Sequence, residues 1–338
     1  MMHKLNNESQ LLNKHKHFLK NKNIIFYGDI KDCFPILFSS QNTKIYTTKY
    51  NIWTLLTKTN KNIFFNFKIQ KQHCINTNLI IYYWPKNKKE AKFQLKYLFS
   101  CQFLNCQLLV VGKNNSGVRS VQNILKKMVK IEKLDSAKHC SLFLGNIQKK
   151  NTINLEKIFS THILNNIVIK TLPGVFGHSG FDSGTLFLAS TFTKKTTGKV
   201  LDIGCGSGIL SILLHQKSEK VNLTLIDIDL LAIKSSKKNF EINNIKGKIL
   251  ASDLFSNIHI HEKFDLIISN PPIHEGIKFT KKIIKKIILE SCKYLKPKGE
   301  LRFVTQSSLL FFEILKKQFS IIKILKKNNS FIIYQAWI

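Results

Sequence analysis

The sequence predicts an α/β protein built from two tandem Rossmann-like domains, of which the first is degenerate. Apolar runs bounded by glycine or proline alternate with helical segments along the chain, which is typical of a parallel sheet covered by helices. The second half of the 338 residues repeats the element order of the first half. A chain of this length also has room for two domains that each bury a core.

Four apolar runs in the first half are predicted strands. They are Asn23–Tyr27, Leu79–Tyr83, Gln107–Val111 and Ser141–Leu144. Helical spacing predicts helices over Lys88–Phe99 and Val118–Val129. The first strand ends at Gly28-Asp29, with no second or third glycine that would let a nucleotide approach the backbone. We therefore expect no cofactor at this end of the first half.

The second half contains five predicted strands and a helix that follows the first of them. The strands are Val200–Ile203, Leu223–Asp227, Phe264–Ser269, Gly299–Val304 and Phe331–Tyr334, and the helix starts over Ile209–His215. Two pairs of segments align between the halves, LIIYYWP with LIISNPP and CQLLVVG with GELRFVT. A duplicated domain explains both alignments. The polar stretch Gln148–Asn166 separates the halves, and we place the boundary between residues 158 and 159.

The formal net charge of +33 would attract a polyanion such as RNA. Only two of the 53 basic residues are arginine, however, and the chain is rich in Lys, Asn, Ile and Phe. A preference for A/T-rich codons would give the same composition without selection for a nucleic-acid partner. Charge alone therefore does not identify RNA as the partner.

The composition also argues against several classes of protein. No apolar run approaches the ~18 residues of a membrane span, and the amino terminus lacks the apolar core of a signal peptide. The seven cysteines never form a C-x-x-C pair, which disfavours a zinc site and a disulfide framework. We expect a cytoplasmic protein with reduced thiols, no metal and no membrane partner.

A glycine-rich turn follows the first strand of the second half. The segment from Val200 to Gly208 reads VLDIGCGSG, and glycines there permit a tight turn against which a ligand can lie at a helix N-terminus. An ordinary strand-to-helix turn has the same signature when the loop is seen alone. Ile209 stands where the dinucleotide fingerprint has its last glycine, which favours an adenosyl cofactor without a pyrophosphate over NAD. The candidate cofactor residues in this turn are Asp202, Gly204, Cys205, Gly206 and Gly208.

Two further carboxylates follow at the ends of later strands. Asp227 ends the next predicted strand, where it can accept hydrogen bonds from both hydroxyls of a ribose. We interpret Asp229, two residues further on, as a solvated neighbour. Asp253 and Leu254 follow a short apolar run at the position that flanks an adenine in this fold class. A helix cap is the alternative interpretation of Asp253.

The most informative segment is Asn270-Pro271-Pro272-Ile273, at the end of a predicted buried strand. Two prolines stiffen a loop, and the Asn270 side chain and the Pro271 carbonyl offer two hydrogen-bond acceptors to one substrate group. An exocyclic amine such as that of guanine is a poor nucleophile because its lone pair is delocalised into the ring. Two acceptors would draw the amine out of conjugation, so catalysis would rest on positioning and electrostatics. We interpret His274 as a loop or substrate contact and not as a general base.

At these residues the chain resembles the methyltransferases that carry N-P-P followed by an aromatic residue after a strand. Further segments resemble the ribosomal RNA small subunit methyltransferase C family, which methylates a guanine N2 of 16S RNA. These segments, which extend along nearly the whole chain, are Leu79–Lys86, Val110–Ser120, Asp135–Lys138, Thr171–Phe176, Phe181–Gly184, Val200–Gly208 and Ile268–Gly276.

The resemblance implies a class I methyltransferase fold in both domains and S-adenosylmethionine as the cofactor. It implies 16S rRNA as the partner, within the small subunit, and we expect a monomer. The first domain, residues 1–158, would support the catalytic domain, residues 159–338, and help to seat the RNA. Near the methionine end of the cofactor the resemblance places Phe176, Asp182, Gly184 and Thr185. Without it, Thr171–Thr185 reads as a glycine-rich loop.

The sequence departs from the family pattern at one position and leaves three alternative functions open. The family pattern has an aromatic residue that stacks on the target base where this chain has Ile273, so activity is expected to be weaker. A protein glutamine methyltransferase uses the same acceptor chemistry but predicts a helical amino-terminal domain. A non-catalytic rRNA-binding assembly factor is the second alternative, and a dehydrogenase is the third.

Overall fold

The structure is a computed structural model that describes residues 5–38, 42–59, 62–101, 103, 106–147, 152–154, 156–272 and 277–338, without the side chains of 277–279. The chain forms two compact units, Met1–Ile158 and Phe159–Ile338. In the part of the chain that is described, no helix combines the length and apolar character needed to cross a bilayer.

In the described residues of the first unit, a seven-stranded sheet is accompanied by five α-helices. The strands are β1 (Ile24–Gly28), β2 (Lys44–Thr47), β3 (Ile63–Phe65), β4 (Leu79–Tyr83), β5 (Gln107–Lys113), β6 (Val129–Ala137) and β7 (Cys140–Ile147). The helices are α1 (Asn7–Lys14), α2 (Tyr50–Leu56), α3 (Lys71–Ile75), α4 (Lys88–Leu98) and α5 (Val121–Leu125). The strand order is β3-β2-β1-β4-β5-β7-β6, and β7 runs antiparallel to β5 and β6.

The second unit opens with a two-stranded hairpin and then repeats the same architecture. The hairpin strands are β8 (Ser160–Leu164) and β9 (Ile167–Thr171), and the sheet strands are β10 (Gly198–Ile203), β11 (Val221–Asp227), β12 (Gly247–Ala251), β13 (Phe264–Ser269), β14 (Leu295–Gln306), β15 (Ile321–Lys327) and β16 (Phe331–Trp337). The helices are α6 (Ser183–Ala189), α7 (Ile209–Lys217), α8 (Leu230–Ile242), α9 (Ile277–Ser291) and α10 (Phe312–Lys316). The strand order, β12-β11-β10-β13-β14-β16-β15, matches that of the first sheet position by position.

The core of the second unit lies on both faces of its sheet because successive side chains of a strand point to opposite faces. On one face, Val200 of β10 packs in a cluster with residues of α6, α7 and α8. On the other face, Leu201 packs in a cluster with residues of α9 and α10. Strands that are covered on both faces consist of continuous apolar runs, and this is why β10 and β13 could be predicted from the sequence.

The predicted α/β fold with two tandem repeats is confirmed, and the two aligned segment pairs fall on β4 with β13 and on β5 with β14. The predicted helix over Val118–Val129 is wrong in extent. Only Val121–Leu125 is α-helical, and Val129 begins β6 because it pairs with Ile147 of β7. The sheets are also not purely parallel, since the β14–β16 and β5–β7 pairs are antiparallel. Strands β2, β3, β6, β8, β9 and β15 have no counterpart in the prediction, and β12 was recognised only as a short apolar run.

Candidate active site at the carboxyl edge of the second sheet

The chain reverses its direction of travel across the sheet between β10 and β13. It runs from β10 outward to β11 and β12, and then returns to place β13 on the other side of β10. Ile203 pairs with Ser269, so the segments after these two residues leave the sheet side by side. Ligands of open α/β sheets bind at the carboxyl ends of the strands at such a switch point.

The glycine turn between β10 and α7 occupies one side of this point. Gly204 has a φ of 70°, so the turn requires glycine for its backbone conformation. A Cβ added there would meet no atom of the described residues within 4 Å, which leaves open space beside the turn. Gly208 is the N-cap of α7 with a φ of 79°, and a Cβ there would lie 3.1 Å from Ser236 Oγ. The backbone N–H groups of Gly204 and Cys205 both donate to the Ile226 carbonyl, which fixes the turn to β11.

Asp202 lies at the base of the turn and is buried with only 1% of its surface exposed. Ser211 Oγ donates a hydrogen bond to its Oδ2 at 2.7 Å. Burial is the main cause that raises the pKa of the Asp202 carboxyl to about 7, and the nearby charge of Asp227 adds to it. The neighbouring Cys205 is buried as well, and burial raises the pKa of its thiol well above the usual range. A buried thiol of this kind is not an activated nucleophile.

Asp227 ends β11 and holds the turn from the opposite side. Its Oδ2 accepts the Gly206 N–H at 2.9 Å, and its Oδ1 accepts the Asp229 N–H at 2.9 Å. The interpretation of Asp229 as a solvated neighbour is wrong. Asp229 is 8% exposed and its Oδ1 accepts the Leu231 N–H at 2.9 Å, so its side chain caps α8.

Asp253 and Leu254 continue the same edge beyond β12. Asp227 pairs with Ala251, and the Ser252 N–H donates to the Asp227 carbonyl, so Asp253 lies one strand further along from Asp227. Asp253 also stands at the N-cap of a short 3₁₀ helix, where its N–H donates to Ser256 Oγ at 3.1 Å. The position of Asp253 therefore agrees with both interpretations, that it flanks a ligand and that it caps a helix.

On the other side of the switch point, the Asn270 carboxamide is held by the first turn of α6. Its Nδ2 donates to Asp182 Oδ2 at 2.9 Å and to Thr185 Oγ1 at 2.8 Å. Its Oδ1 is buried and has no hydrogen-bond partner among the residues that the structure describes. A buried carbonyl oxygen without a hydrogen-bond partner lowers the stability of the fold. Such an oxygen is typical of a site in which a bound ligand supplies the donor.

The rest of the acceptor loop is only partly described. Pro271 is buried, and the carbonyl of the exposed Pro272 accepts a hydrogen bond from Thr280 Oγ1 of α9 at 2.8 Å. This bond connects the loop to the helix that follows it. Ile273 and His274 lie outside the described residues.

A solvent-open cleft, whose empty space together with the open solvent at its mouth is about 510 Å³, brings eight of the sixteen predicted residues together. Those that line it are Phe176, Asp182, Thr185, Asp202, Gly204, Cys205, Gly206 and Asn270. The predicted residues that do not line it are Gly184, Gly208, Asp227, Asp253, Leu254, Pro271 and Pro272. Gly184 is nevertheless close, since a Cβ added there would lie 3.5 Å from Asn270 Oδ1.

The sequence interpretation missed part of the lining. The additional lining residues are Ile169, Gly177, Gly180, Phe181, Ser207, Ile209 and Leu210. Ser207, Ile209 and Leu210 adjoin the glycine motif, so the motif itself could have identified them. Ile169 lies in the β8–β9 hairpin, which carries no motif. Among the described residues, no three His, Cys, Asp or Glu side chains come together in a way that could hold a metal ion.

Two family models match the chain, one for each unit. The family described as "Methyltransferase small domain" matches residues 166–335, and "Methyltransferase small domain N-terminal" matches residues 9–162. The cleft and the acceptor loop both lie within the first of these matches.

Curated relatives match the chain from end to end. "Ribosomal RNA small subunit methyltransferase C" of Buchnera aphidicola subsp. Schizaphis graminum is 44% identical over 98% of this chain and 98% of its own length. The protein of the same name from Buchnera aphidicola subsp. Acyrthosiphon pisum is 45% identical over 98% and 99%. That of Enterobacter sp. (strain 638) is 37% identical over 97% and 96%.

A solved structure has the same fold over nearly the whole chain. It is the T. thermophilus 16S rRNA N2 G1207 methyltransferase in complex with AdoMet and guanosine. The similarity has a TM-score of 0.82 and covers 98% of this chain and 92% of that one, at 18% identity. At this identity the similarity concerns the fold.

Proposed function

The chain belongs to the ribosomal RNA small subunit methyltransferase C family, and on this premise we propose that it transfers a methyl group from S-adenosylmethionine to the N2 amine of a guanosine in 16S rRNA. Membership confirms the resemblance carried by the sequence segments. The T. thermophilus protein of the same fold is named for G1207, and the corresponding guanosine is our proposed target.

The observation that carries this proposal is that Asn270 lines the cleft and that its Oδ1 is buried without a hydrogen-bond partner in the described part of the chain. A guanine N2 amine has two N–H donors and a lone pair that is delocalised into the ring. Asn270 Oδ1 accepts one N–H and the Pro271 carbonyl accepts the other, which favours a tetrahedral nitrogen and directs its lone pair toward the cofactor. The contribution of the protein is therefore positioning and electrostatic stabilisation, without a general base.

The cleft residues fit an adenosyl cofactor. The open space beside Gly204 lets a ligand lie against the backbone. Ile209 stands where the dinucleotide-binding fingerprint has its last glycine, which favours an adenosyl ligand without a pyrophosphate. Asp227 would hold the ribose, Asp253 and Leu254 would flank the adenine, and the cleft around Phe176 and Asp202 would hold the methionine part. When bound, S-adenosylmethionine supplies an electrophilic methyl group on its sulfonium sulfur.

The partner we propose is 16S rRNA within the small ribosomal subunit, bound by a monomer in the cytoplasm. The net charge of +33 supports a polyanionic partner. The first unit is proposed to support the catalytic unit and to help seat the RNA. Calorimetric titration with S-adenosylmethionine is expected to give one site per chain, and two sites would contradict a degenerate first unit.

The glutamine methyltransferase alternative requires a helical amino-terminal domain, and the first unit is instead a seven-stranded α/β unit. The non-catalytic alternative does not explain why a lining residue of the cleft keeps a buried acceptor oxygen that no described residue pairs with. Neither alternative therefore accounts for the structure as well as the RNA methyltransferase does.

The test is methyl transfer with nucleotide mapping. Purified protein is incubated with labelled S-adenosylmethionine and either small subunits or naked 16S rRNA from cells that lack the modification. We expect label on one guanine N2, and we expect Asn270→Ala to abolish turnover while cofactor affinity stays within about twofold. Label on a release factor would establish the glutamine methyltransferase instead, and absence of any transfer would favour the assembly factor.

A further inference from the structure

We propose that Asp182 and Thr185 are positioning residues that orient the Asn270 carboxamide, so that its oxygen and not its nitrogen faces the substrate amine. This inference rests on the proposed function and deepens it. The family resemblance assigns both residues to the cofactor, whereas the geometry points to a role in the acceptor half of the site.

A carboxamide has two orientations of nearly the same shape, related by exchange of its oxygen and nitrogen. Only one of them serves this reaction. With Oδ1 toward the substrate, Asn270 accepts an N–H of the amine. With Nδ2 toward the substrate, two donors would face each other and the amine would be repelled.

Asp182 and Thr185 select the productive orientation because they use both hydrogens of Asn270 Nδ2. One hydrogen is donated to Asp182 Oδ2 at 2.9 Å and the other to Thr185 Oγ1 at 2.8 Å. The Thr185 hydroxyl in turn donates to Asp182 Oδ2 at 3.2 Å. In the reversed orientation, Asn270 Oδ1 would lie against a carboxylate oxygen that has no hydrogen to donate.

The two positioning residues are themselves fixed by the helix that carries them. Asp182 is the N-cap of α6, and the same Oδ2 accepts the Thr185 N–H at 2.8 Å. Thr185 is 5% exposed and Asn270 Oδ1 is buried, so water does not compete freely for these bonds. Gly184 leaves room for the Asp182 carboxylate, because a Cβ there would lie 3.1 Å from Asp182 Oδ2, and it adjoins the amide oxygen, since the same Cβ would lie 3.5 Å from Asn270 Oδ1.

A purely structural role must be separated from this one, since an N-cap stabilises a helix whether or not the helix carries chemistry. Thr185→Val makes the separation possible. It keeps the backbone N–H that Asp182 caps and keeps the branched shape of the side chain, and it removes only the hydroxyl. Thr185→Ser restores the hydroxyl, and Thr161→Val makes the same change on the exposed face of β8, outside the cleft.

Steady-state methylation of 16S rRNA in small subunits is measured for these variants. We expect Thr185→Val to lower kcat by about 10- to 100-fold, with the KM values for S-adenosylmethionine and RNA within about twofold. We expect Thr185→Ser to recover most of that loss. In Asp182→Ser the shorter side chain keeps an oxygen that can cap α6 but does not reach Asn270. This variant should lower kcat to a similar extent with little change in thermal unfolding.

Two results would overturn the inference. One is a kcat of Thr185→Val equal to that of Thr161→Val. The other is a raised KM for S-adenosylmethionine at unchanged kcat, which would return Thr185 to the cofactor. Asn270→Ala is measured in parallel. If it is inactive while Thr185→Val is not impaired, only the positioning role fails, whereas an active Asn270→Ala removes the proposed acceptor mechanism as well.

Discussion

Asn239 forms a reciprocal pair of hydrogen bonds with the backbone of Lys170. Its Oδ1 accepts the Lys170 N–H at 2.7 Å, and its Nδ2 donates to the Lys170 carbonyl at 2.9 Å. The second Nδ2 hydrogen is donated to the Ser207 carbonyl at 2.8 Å. A single fully buried side chain on α8 therefore connects the β8–β9 hairpin to the glycine turn of the cleft.

Asn239→Ala is expected to destabilise the protein and to weaken cofactor binding. The substitution removes a partner from the buried Ser207 carbonyl, at a cost of about 1–3 kcal/mol. It also removes partners from the part-buried backbone groups of Lys170, which cost less because water can replace part of the lost bonding. Because the Ser207 carbonyl belongs to the turn, the turn is less well fixed, and we expect an affinity for S-adenosylmethionine about five- to tenfold lower. Urea denaturation and calorimetric titration measure the two effects.

Asn243 supplies the matched control for this experiment. It is the C-cap residue of α8, four residues after Asn239, and it forms the equivalent pair of hydrogen bonds with the backbone of Val168, at 3.3 and 2.9 Å. The two residues differ in the other hydrogen bond that Nδ2 donates. Asn243 donates it to the Asn239 carbonyl at 2.7 Å, whereas Asn239 donates it to the Ser207 carbonyl of the glycine turn. Asn243→Ala should therefore lower stability without changing cofactor affinity, and equal affinity losses in both variants would show that the bond to Ser207 has no separate effect.

The sequence could predict those parts of the site that are formed by residues adjacent in the chain. The glycine turn, Asp227 and the Asn270-Pro271-Pro272 loop are each recognisable because the motif and its strand are contiguous. Asn239 gives no such signal, since an asparagine inside a helix reads only as a weak helix former. Its partners lie 69 and 32 residues away along the chain, and only the folded sheet brings them together.

The same reason limits what could be predicted in the region before the cleft. The interpretation of Thr171–Thr185 as a glycine-rich loop agrees with the structure up to Asp182, and it misses the start of α6 because that helix is only seven residues long and begins with Ser-Gly. The bond from Asn270 to Asp182 joins residues 88 positions apart, so only the fold reveals it. The extent of the Val118–Val129 helix was wrong for a related reason, because pairing with β7 overrides the local helical spacing at Val129.

Gly204→Ala tests whether the space beside the turn belongs to a ligand. Its φ of 70° makes an alanine strained by about 1–2 kcal/mol, but no atom in the described part of the protein lies within 4 Å of the added methyl group. We expect a small loss of stability and a loss of S-adenosylmethionine affinity of about 100-fold or more, which corresponds to about 2.8 kcal/mol. Calorimetric titration measures the affinity.

Gly117→Ala is the control for the strain alone. Gly117 has a φ of 80° and equally has no atom within 4 Å of an added Cβ, but it lies in the first unit. Both variants should lose similar stability in thermal unfolding, and only Gly204→Ala should lose cofactor affinity. Unchanged affinity in Gly204→Ala would mean that no ligand occupies the space beside this turn.

The buried Asp202 predicts a pH dependence of stability. The pKa of its carboxyl is about 7 in the folded chain, against an ordinary value of 3.8 for an aspartate in water. Between these two pH values the native state holds a proton that the unfolded state has already lost. Stability is therefore highest below about pH 4 for this group and falls as the pH rises to about 7, by about 1.4 kcal/mol per unit of pKa difference. Asn at this position carries no charge and removes the effect.

Urea denaturation at pH 5.5 and pH 8, followed by circular dichroism, compares the wild type with Asp202→Asn. We expect the wild type to lose more stability than the variant over this interval, and we expect the variant to be the more stable of the two at pH 8. Ser211 Oγ can still donate to the amide oxygen of the variant, so the packing around the side chain is retained. Equal losses would show that Asp202 is already ionised in the fold.

Ile273→Tyr is expected to increase the activity of the enzyme. An aromatic residue after N-P-P stacks on the target base, and such stacking contributes about 1–3 kcal/mol per base, so an aliphatic residue forgoes part of it. The substitution should raise kcat/KM for 16S rRNA, with the gain mostly in KM, because a stacked base is bound more tightly before and during transfer. Ile273→Leu is the matched control, as it changes the shape of the side chain without adding a ring. If the leucine variant gains as much as the tyrosine variant, or if neither gains, stacking does not limit base binding in this chain.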